Sequence, residues 1–395
     1  MSLVQRLRTR PTVENHATTT FELFFDLVYV FAITQITVYI HDAHTVNGLI
    51  QGLLMLGLLW WTWSAYTWLG NQARADEGAV RIAMVIALAA IFVVAMTIPE
   101  VWHDGPGGLN GPLVFVLAYF VIRAVHLLVY VVAAAGDRGL IRTVLKAWLP
   151  LLASMILLLV GIALGGWMQT VLFALALGGD VALTWVFALQ GGWRIHSASH
   201  WTERHGLFVI LALGESVVAV GVGAARQPIS SELLVAAVLG VLLSLLLWWA
   251  YFDAMSPAAE RVMREARGEH RVRLAIDAYT YGHFPVVAGI VIAAVGVEEV
   301  LGHAVESEKM GMFAAGALFG GVALYLVGLL IFKWRLRMGI GIPRAVAVVV
   351  LLVAWPIAAF GPALLALAVA VVLMSVLIVF ESIRYAEHRA AVREA

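Results

Sequence analysis

The sequence predicts an all-α polytopic membrane protein with 12 transmembrane helices, arranged as two six-helix repeats in the same orientation. Three observations lead there. First, the 395-residue chain is 62% hydrophobic and only 13% charged, whereas soluble domains are roughly half apolar and a quarter charged. Second, apolar stretches recur along it, each of about 20 residues and so able to cross a ~30 Å hydrocarbon layer. Third, the basic residues cluster at alternate ends of those stretches, and short motifs recur in the same order in both halves.

In chain order, helices are expected near 22–41, 47–70, 79–99, 112–135, 145–165 and 167–190. A second set follows near 205–225, 232–254, 272–298, 310–333, 343–360 and 362–384. Pro and Gly punctuate the connections, as in "EVWHDGPGGLNGP" and in "FGP" at 360–362. Arg6, Arg8 and Arg10 precede the first apolar run, but no small-residue cleavage site follows it, so that run reads as a retained helix. The organisation expected is an N-terminal arm (1–20), a first half (21–190), a connector (191–204), a second half (205–384) and a tail (385–395).

Orientation follows from charge. With the N-terminus cytoplasmic, 22 of the 25 Lys and Arg fall on the cytoplasmic side. Only Arg226 and Lys309 lie opposite, and Arg123 lies within a helix. The positive-inside rule requires such a bias, so both termini, the arm, the connector and the tail are expected in the cytoplasm of a cell that carries the protein in its inner or plasma membrane. The repeat rests on "LLWWTW" at 58–63 against "LLWWAY" at 246–251, and "AVRIAM" at 79–84 against "RVRLAI" at 271–276. Six helices per half would relate the halves by an axis along the membrane normal.

Several function classes are excluded or disfavoured. The chain has no cysteine, which removes disulfides, thiolate metal sites and a cysteine nucleophile. Its formal net charge is zero, so nothing argues for nucleic acid. HExxH, GxSxG and GK[ST] signatures are absent. "LGGD" at 177–180 has Leu where intramembrane aspartyl proteases have Gly, and their Tyr-Asp partner is missing, because 251–253 reads "YFD". No cofactor or metal site is expected. The expected partners are the lipid bilayer and a small cation or proton, with homo-oligomerisation left open.

Charges inside spans carry the functional signal, because an ionised side chain at the bilayer centre costs roughly 2.5–3.5 kcal/mol on insertion scales unless it is paired or hydrated. Glu215 in "GLFVILALGESVVAVG" lies ten residues past His205, about 15 Å along the helix. Arg204, Phe208, Leu211 and Glu215 share one face, with Ser216 beside it. Glu215 is either a packed, paired acid or part of a polar pathway. Arg123 sits on a face with Tyr119, His126 and Tyr130. A guanidinium stays protonated and needs an anion, and Asp180 and Glu215 are the candidates. On the ninth helix Asp277 and Tyr281 share a face, and Gly282 and Pro285 flank His283. That break reads either as a hinge with a titratable imidazole or as a kink with a hydrogen-bonded core histidine. In "FELFFDLVYVFAITQ" at 21–35, Glu22 and Asp26 lie on one face and Gln35 lies opposite. Glu22 could simply complement the helix dipole, but Asp26 is a full turn deeper. Asp253, Glu100, Glu298 and Glu381 lie near helix ends and read as structural.

Three blocks, "FELFFDLVYVFAITQ" at 21–35, "ERHGLFVILALGES" at 203–216 and "YTYGHFPVVAGI" at 279–290, resemble the bacterial low temperature requirement protein A (LtrA) family. The resemblance implies a polytopic bacterial inner-membrane protein and transfers no chemistry. "FFDLVYVFAIT" also resembles the Phe-Ser-Asp motif of endolysosomal potassium and proton channels, with Phe25 in place of the serine. The leading expectation is a transporter or channel for protons, small cations or a cation-coupled solute. Its pathway would use Glu22, Asp26, Gln35, Arg123, His126, Asp180, Arg204, His205, Glu215, Ser216, Asp277, Tyr281 and His283. The alternatives are an intramembrane or lipid-modifying enzyme and a non-catalytic scaffold or receptor.

Overall fold

The computed structural model describes residues 12–384 apart from 15, 135, 189–192, 226, 304–308 and 340. Arg6, Arg8, Arg10, Arg226, Arg389, Arg393 and the expected tail 385–395 lie outside the described residues. The first helices are α1 (Thr20–Ala43), α2 (Val46–Gln72), α3 (Gly78–Thr97), α4 (Gly111–Ala133), α5 (Arg138–Lys146), α6 (Trp148–Leu164) and α7 (Gly166–Ala188). They are followed by α8 (Ala198–Ala225), α9 (Ser231–Phe252), α10 (Met255–Glu265), α11 (Gly268–Leu274) and α12 (Phe284–Gly302). The last are α13 (Met312–Ala315), α14 (Gly321–Arg335), α15 (Ile342–Ala358) and α16 (Ala363–Arg384).

Among the described residues, 11 helices are long and apolar enough to cross a membrane, and α15, at 17 residues, is a shorter apolar helix. Their outward faces carry Val, Leu, Ile and Phe, such as Val349, Val353, Ile357, Val372 and Phe380 on α15 and α16. A soluble domain would bury such surface; here it suits contact with lipid. The chain is therefore that of a multi-pass membrane protein.

Local signals explain most boundaries. Asn110 caps α4, accepting from the Leu113 backbone N–H, with Pro112 in the first turn. Asp137 caps α5 and Ser230 caps α9 in the same way. One boundary departs clearly from expectation. The helix expected from about 205 begins at Ala198, with the Ser197 hydroxyl accepting the His200 N–H at 3.1 Å. The polar run "ASHWTERHG" is too hydrophilic for a hydropathy window, yet it folds as helix.

The chain forms two compact units. The first comprises Met1–Tyr39, Ile50–Arg204 and Arg267–Val272. In it α3 packs along α4 and α6 along α7, and Tyr66 on α2 donates to the Ile122 carbonyl on α4 at 3.0 Å.

The second unit comprises Ile40–Leu49, His205–Ala266 and Arg273–Ala395. There α12 packs along α14 and α9 along α16. A π-helical stretch, Ala275–Tyr281, precedes α12, and another, Gly316–Gly320, precedes α14. Gly289 and Gly321 let α12 and α14 touch backbone to backbone: a Cβ on Gly289 would overlap the Tyr325 amide nitrogen, and one on Gly321 the Ala293 nitrogen. Small residues at such a crossing replace the hydrophobic drive that lipid cannot supply. Gly289→Val is expected to lower stability by about 1–3 kcal/mol or more through overpacking, read as a lower unfolding midpoint in detergent.

Candidate functional site

The site grows from the start of α1. Thr19 and Glu22 form a reciprocal capping box, in which the Thr19 hydroxyl accepts the Glu22 N–H at 3.2 Å. Glu22 Oε2 in turn accepts the Thr19 N–H at 2.9 Å and its hydroxyl at 3.0 Å. The dipole-complementing role expected for Glu22 is therefore present, but it uses only one carboxylate oxygen. Oε1 lies 2.9 Å from His200 Nε2 and 3.9 Å from Arg204 Nε. Glu22 is 1% exposed and His200 fully buried.

His200 owes its place to a second layer of bonds. Asn71 Nδ2 donates to the Ser197 carbonyl at 2.7 Å and stands 3.3 Å from His200 Nδ1. Asn71 Oδ1 accepts the His196 N–H at 2.7 Å. With Asn71 donating toward Nδ1, the His200 proton sits on Nε2 and points at Glu22. Gly70 is needed here, because a Cβ would stand 2.6 Å from Glu22 Oε1. His16 closes this end, its ring 5.5 Å from that of His200. Burial, then the neighbouring His200, holds the His16 pKa below the ordinary histidine value.

One turn deeper, Asp26 is fully buried and held from two sides. Arg204 donates through Nη1 to Oδ2 at 2.7 Å and through Nη2 to Oδ1 at 2.9 Å. Trp63 Nε1 donates to Oδ1 at 2.9 Å. The guanidinium also donates to the Glu22 carbonyl at 3.2 Å and lies over the Trp63 ring. This is a fork-to-fork charge pair in which Oδ1 also accepts the indole N–H. The sequence placed Glu22 and Asp26 on one face of a helix; the structure adds His200 and Arg204, which face them.

The first unit holds another buried pair. Of the two acids weighed for Arg123, Asp180 takes it: Nη2 donates to Oδ2 at 3.0 Å and to Oδ1 at 3.3 Å. Trp61 Nε1 donates to the same carboxylate at 2.9 Å. His126, one turn along α4, is buried edge-on between Tyr66 and Tyr130. Gln35 is half-buried on α1.

In the second unit, Glu215 and Ser216 on α8 are 1% and 5% exposed. The Ser216 hydroxyl donates to the Leu213 carbonyl at 2.7 Å and meets that of Ser244 at 2.8 Å. His283 sits at the break before α12, fully buried, with Nε2 2.8 Å from the Tyr251 hydroxyl and Nδ1 3.1 Å from the Ala278 carbonyl. Both ring nitrogens are engaged, and Tyr279 stacks on the ring. His205 packs against Tyr279 and His283. Asp277 reaches Arg335 at 3.6 Å near the surface, and Tyr281 is half-buried.

The structure also assembles groups that spacing could not reveal. His41 Nδ1 and His44 Nδ1 lie 3.1 and 2.9 Å from Glu299 Oε1, with Glu298 beside them. Arg344 is held by Glu381 at 2.8 and 2.9 Å and by the Ala250 carbonyl. Beside that pair lies a cavity of about 700 Å³, lined by Trp249, Met255, Arg261 and Lys333 among others. In the first unit the unforeseen partners are His200, Trp63, Trp61 and His16.

The family model described as bacterial low temperature requirement A protein (LtrA) matches residues 17–379. An uncharacterized protein of Rhizobium meliloti (strain 1021) is 28% identical over 324 residues, covering 79% of this chain and 76% of that protein. No solved structure matches the chain.

Proposed function

The chain belongs to the bacterial low temperature requirement A family, and from that premise we propose that it is a transporter or channel for protons, other small cations or a cation-coupled small solute. The observation that supports this most is the pair of neighbouring contacts at the start of α1: Glu22 with His200, and Asp26 with Arg204. Apolar side chains of similar volume would hold helices together as well as or better than buried ion pairs do. Ionisable groups retained inside membrane spans therefore point to a pathway.

In this reading a cation or proton reaching Glu22 or Asp26 competes with His200 and Arg204 for the carboxylate. Occupancy of the site thereby changes which helices are tied together. Arg123 and Asp180 anchor α4 to α7, with His126 alongside. Glu215, Ser216, His205, His283, Asp277 and Tyr281 supply the polar groups of the second half, and Gln35 continues α1. Twelve helices cross the membrane, α15 among them, and the halves are repeats in one orientation with both termini cytoplasmic. The α1 acids then face the cytoplasmic entrance.

The test is flux of protons and monovalent cations into liposomes holding the purified protein. Glu22→Gln keeps the shape and removes the charge, and flux is expected to fall to the leak of protein-free liposomes. Flux equal to wild type would remove Glu22 from the pathway. A second reading, a non-catalytic scaffold or receptor, is favoured by the ion pair of Arg123 with Asp180 and by the hydrogen bonds at both His283 nitrogens. It requires wild-type protein to carry no flux above that leak.

A further inference from the structure

We propose that His16, Glu22 and His200 form a binding site for a divalent transition-metal ion of the zinc class. This goes beyond the transport reading and does not rest on it. One ligand atom from each residue can be chosen so that all lie within 4.8 Å of one another. Two imidazoles and one carboxylate are the donor set that borderline cations such as Zn²⁺ take. Three protein ligands also leave a fourth position open for water or an exchanging ligand.

Two features distinguish this trio from an ordinary buried His–Glu pair. Among the described residues, His16 Nε2 is buried and has no hydrogen-bond partner, and an unsatisfied imidazole nitrogen beside a second histidine and an acid is a lone pair that a cation can take. Glu22 is also presented in a fixed pose: Thr19 holds Oε2, leaving Oε1 toward His200.

Closing the site needs the ligand atoms to settle at roughly 3.3–3.5 Å, the separation set by metal–ligand bonds of about 2.0–2.2 Å in a tetrahedron: His16 draws in, while Glu22 Oε1 and His200 Nε2 open from 2.9 Å. His16 lies ahead of α1 on non-helical chain, so it can make that move without disturbing a helix. His200 must give up its Nε2 proton and carry one on Nδ1 instead, which requires Asn71 Nδ2, 3.3 Å away, to turn aside. The nearby charges tolerate the ion. Arg204, the cation 3.9 Å from Glu22, is already neutralised by Asp26.

The test is Zn²⁺ titration of the chelator-washed full-length protein in detergent, with Co²⁺ absorption as a report of coordination geometry. The expected result is one tight Zn²⁺ per chain and a Co²⁺ spectrum of tetrahedral type. Affinity should be at least about tenfold weaker in His16→Gln and in His200→Gln. His16→Gln changes only the residue ahead of α1, so its metal-free unfolding midpoint should match wild type while the rise that Zn²⁺ gives wild type disappears. Absence of stoichiometric binding, or binding equally tight in both variants, would overturn the site.

Discussion

Replacing Arg204 by methionine is expected to destabilise the protein by about 3–5 kcal/mol, the cost of leaving a buried carboxylate without its cation. Asp26 is fully buried. Once Arg204 is gone, only the Trp63 N–H, at 2.9 Å, still donates to it among the described residues. The Arg204 bond to the Glu22 carbonyl is lost as well. Unfolding of purified protein in detergent measures the effect. The double variant Asp26→Leu, Arg204→Met removes both charges, and its stability should return to within about 1 kcal/mol of wild type. That recovery is the informative result, because it shows that the single variant fails through an orphaned charge and not through lost volume. A single variant as stable as wild type would mean that water or another cation reaches Asp26.

Asp180→Leu is expected to cost a similar amount, about 3–5 kcal/mol, for the reciprocal reason. Arg123 cannot shed its proton and is 4% exposed, so removing its anion leaves a buried guanidinium. The Trp61 N–H loses its acceptor in the same substitution. Asp180→Asn keeps a carbonyl oxygen for Trp61 and one hydrogen bond for Arg123, and should cost measurably less. Equal loss in the two variants would assign the damage to packing of α7 and not to the charge on Arg123.

These pairs mark where reading the sequence stopped. Helix positions were legible because hydropathy and capping are local signals, and every span centre expected from hydropathy lies in a helix. The candidate charges were legible because a charge in an apolar run stands out: Glu22, Asp26, Arg123 and Asp180 were all singled out on that ground. Their partners were not all legible. Asp26 meets Arg204 at a separation of 178 residues and Trp63 at 37, and helical periodicity says nothing about which distant face arrives. For Arg123 it left two acids open, and the fold selects Asp180.

His200 and His16 were missed for a different reason. Both lie in polar stretches that read as connector and arm, so neither registers as a charge in a membrane span. One local cue was available: Ser197 stands three residues before His200, as a helix-capping serine does, and it starts α8 seven residues earlier than hydropathy allows. The group formed by His41, His44 and Glu299 also straddles helix ends, where each residue taken alone looks hydrated. Glu215 is as buried as its sequence context implied, while the dense ionic network of the first unit formed around α1.

The central claim is that the α1 acids move a cation, and the measurement that tests it most directly is flux through the double variant Asp26→Leu, Arg204→Met. That protein lacks the charges but should keep the fold, so stability and transport are separated in one molecule. The expected result is a folded, correctly reconstituted protein whose proton and monovalent-cation flux equals the leak of protein-free liposomes, while wild type exceeds it. Flux at the wild-type level in that folded variant would contradict the claim and leave the Asp26–Arg204 pair as a structural tie alone.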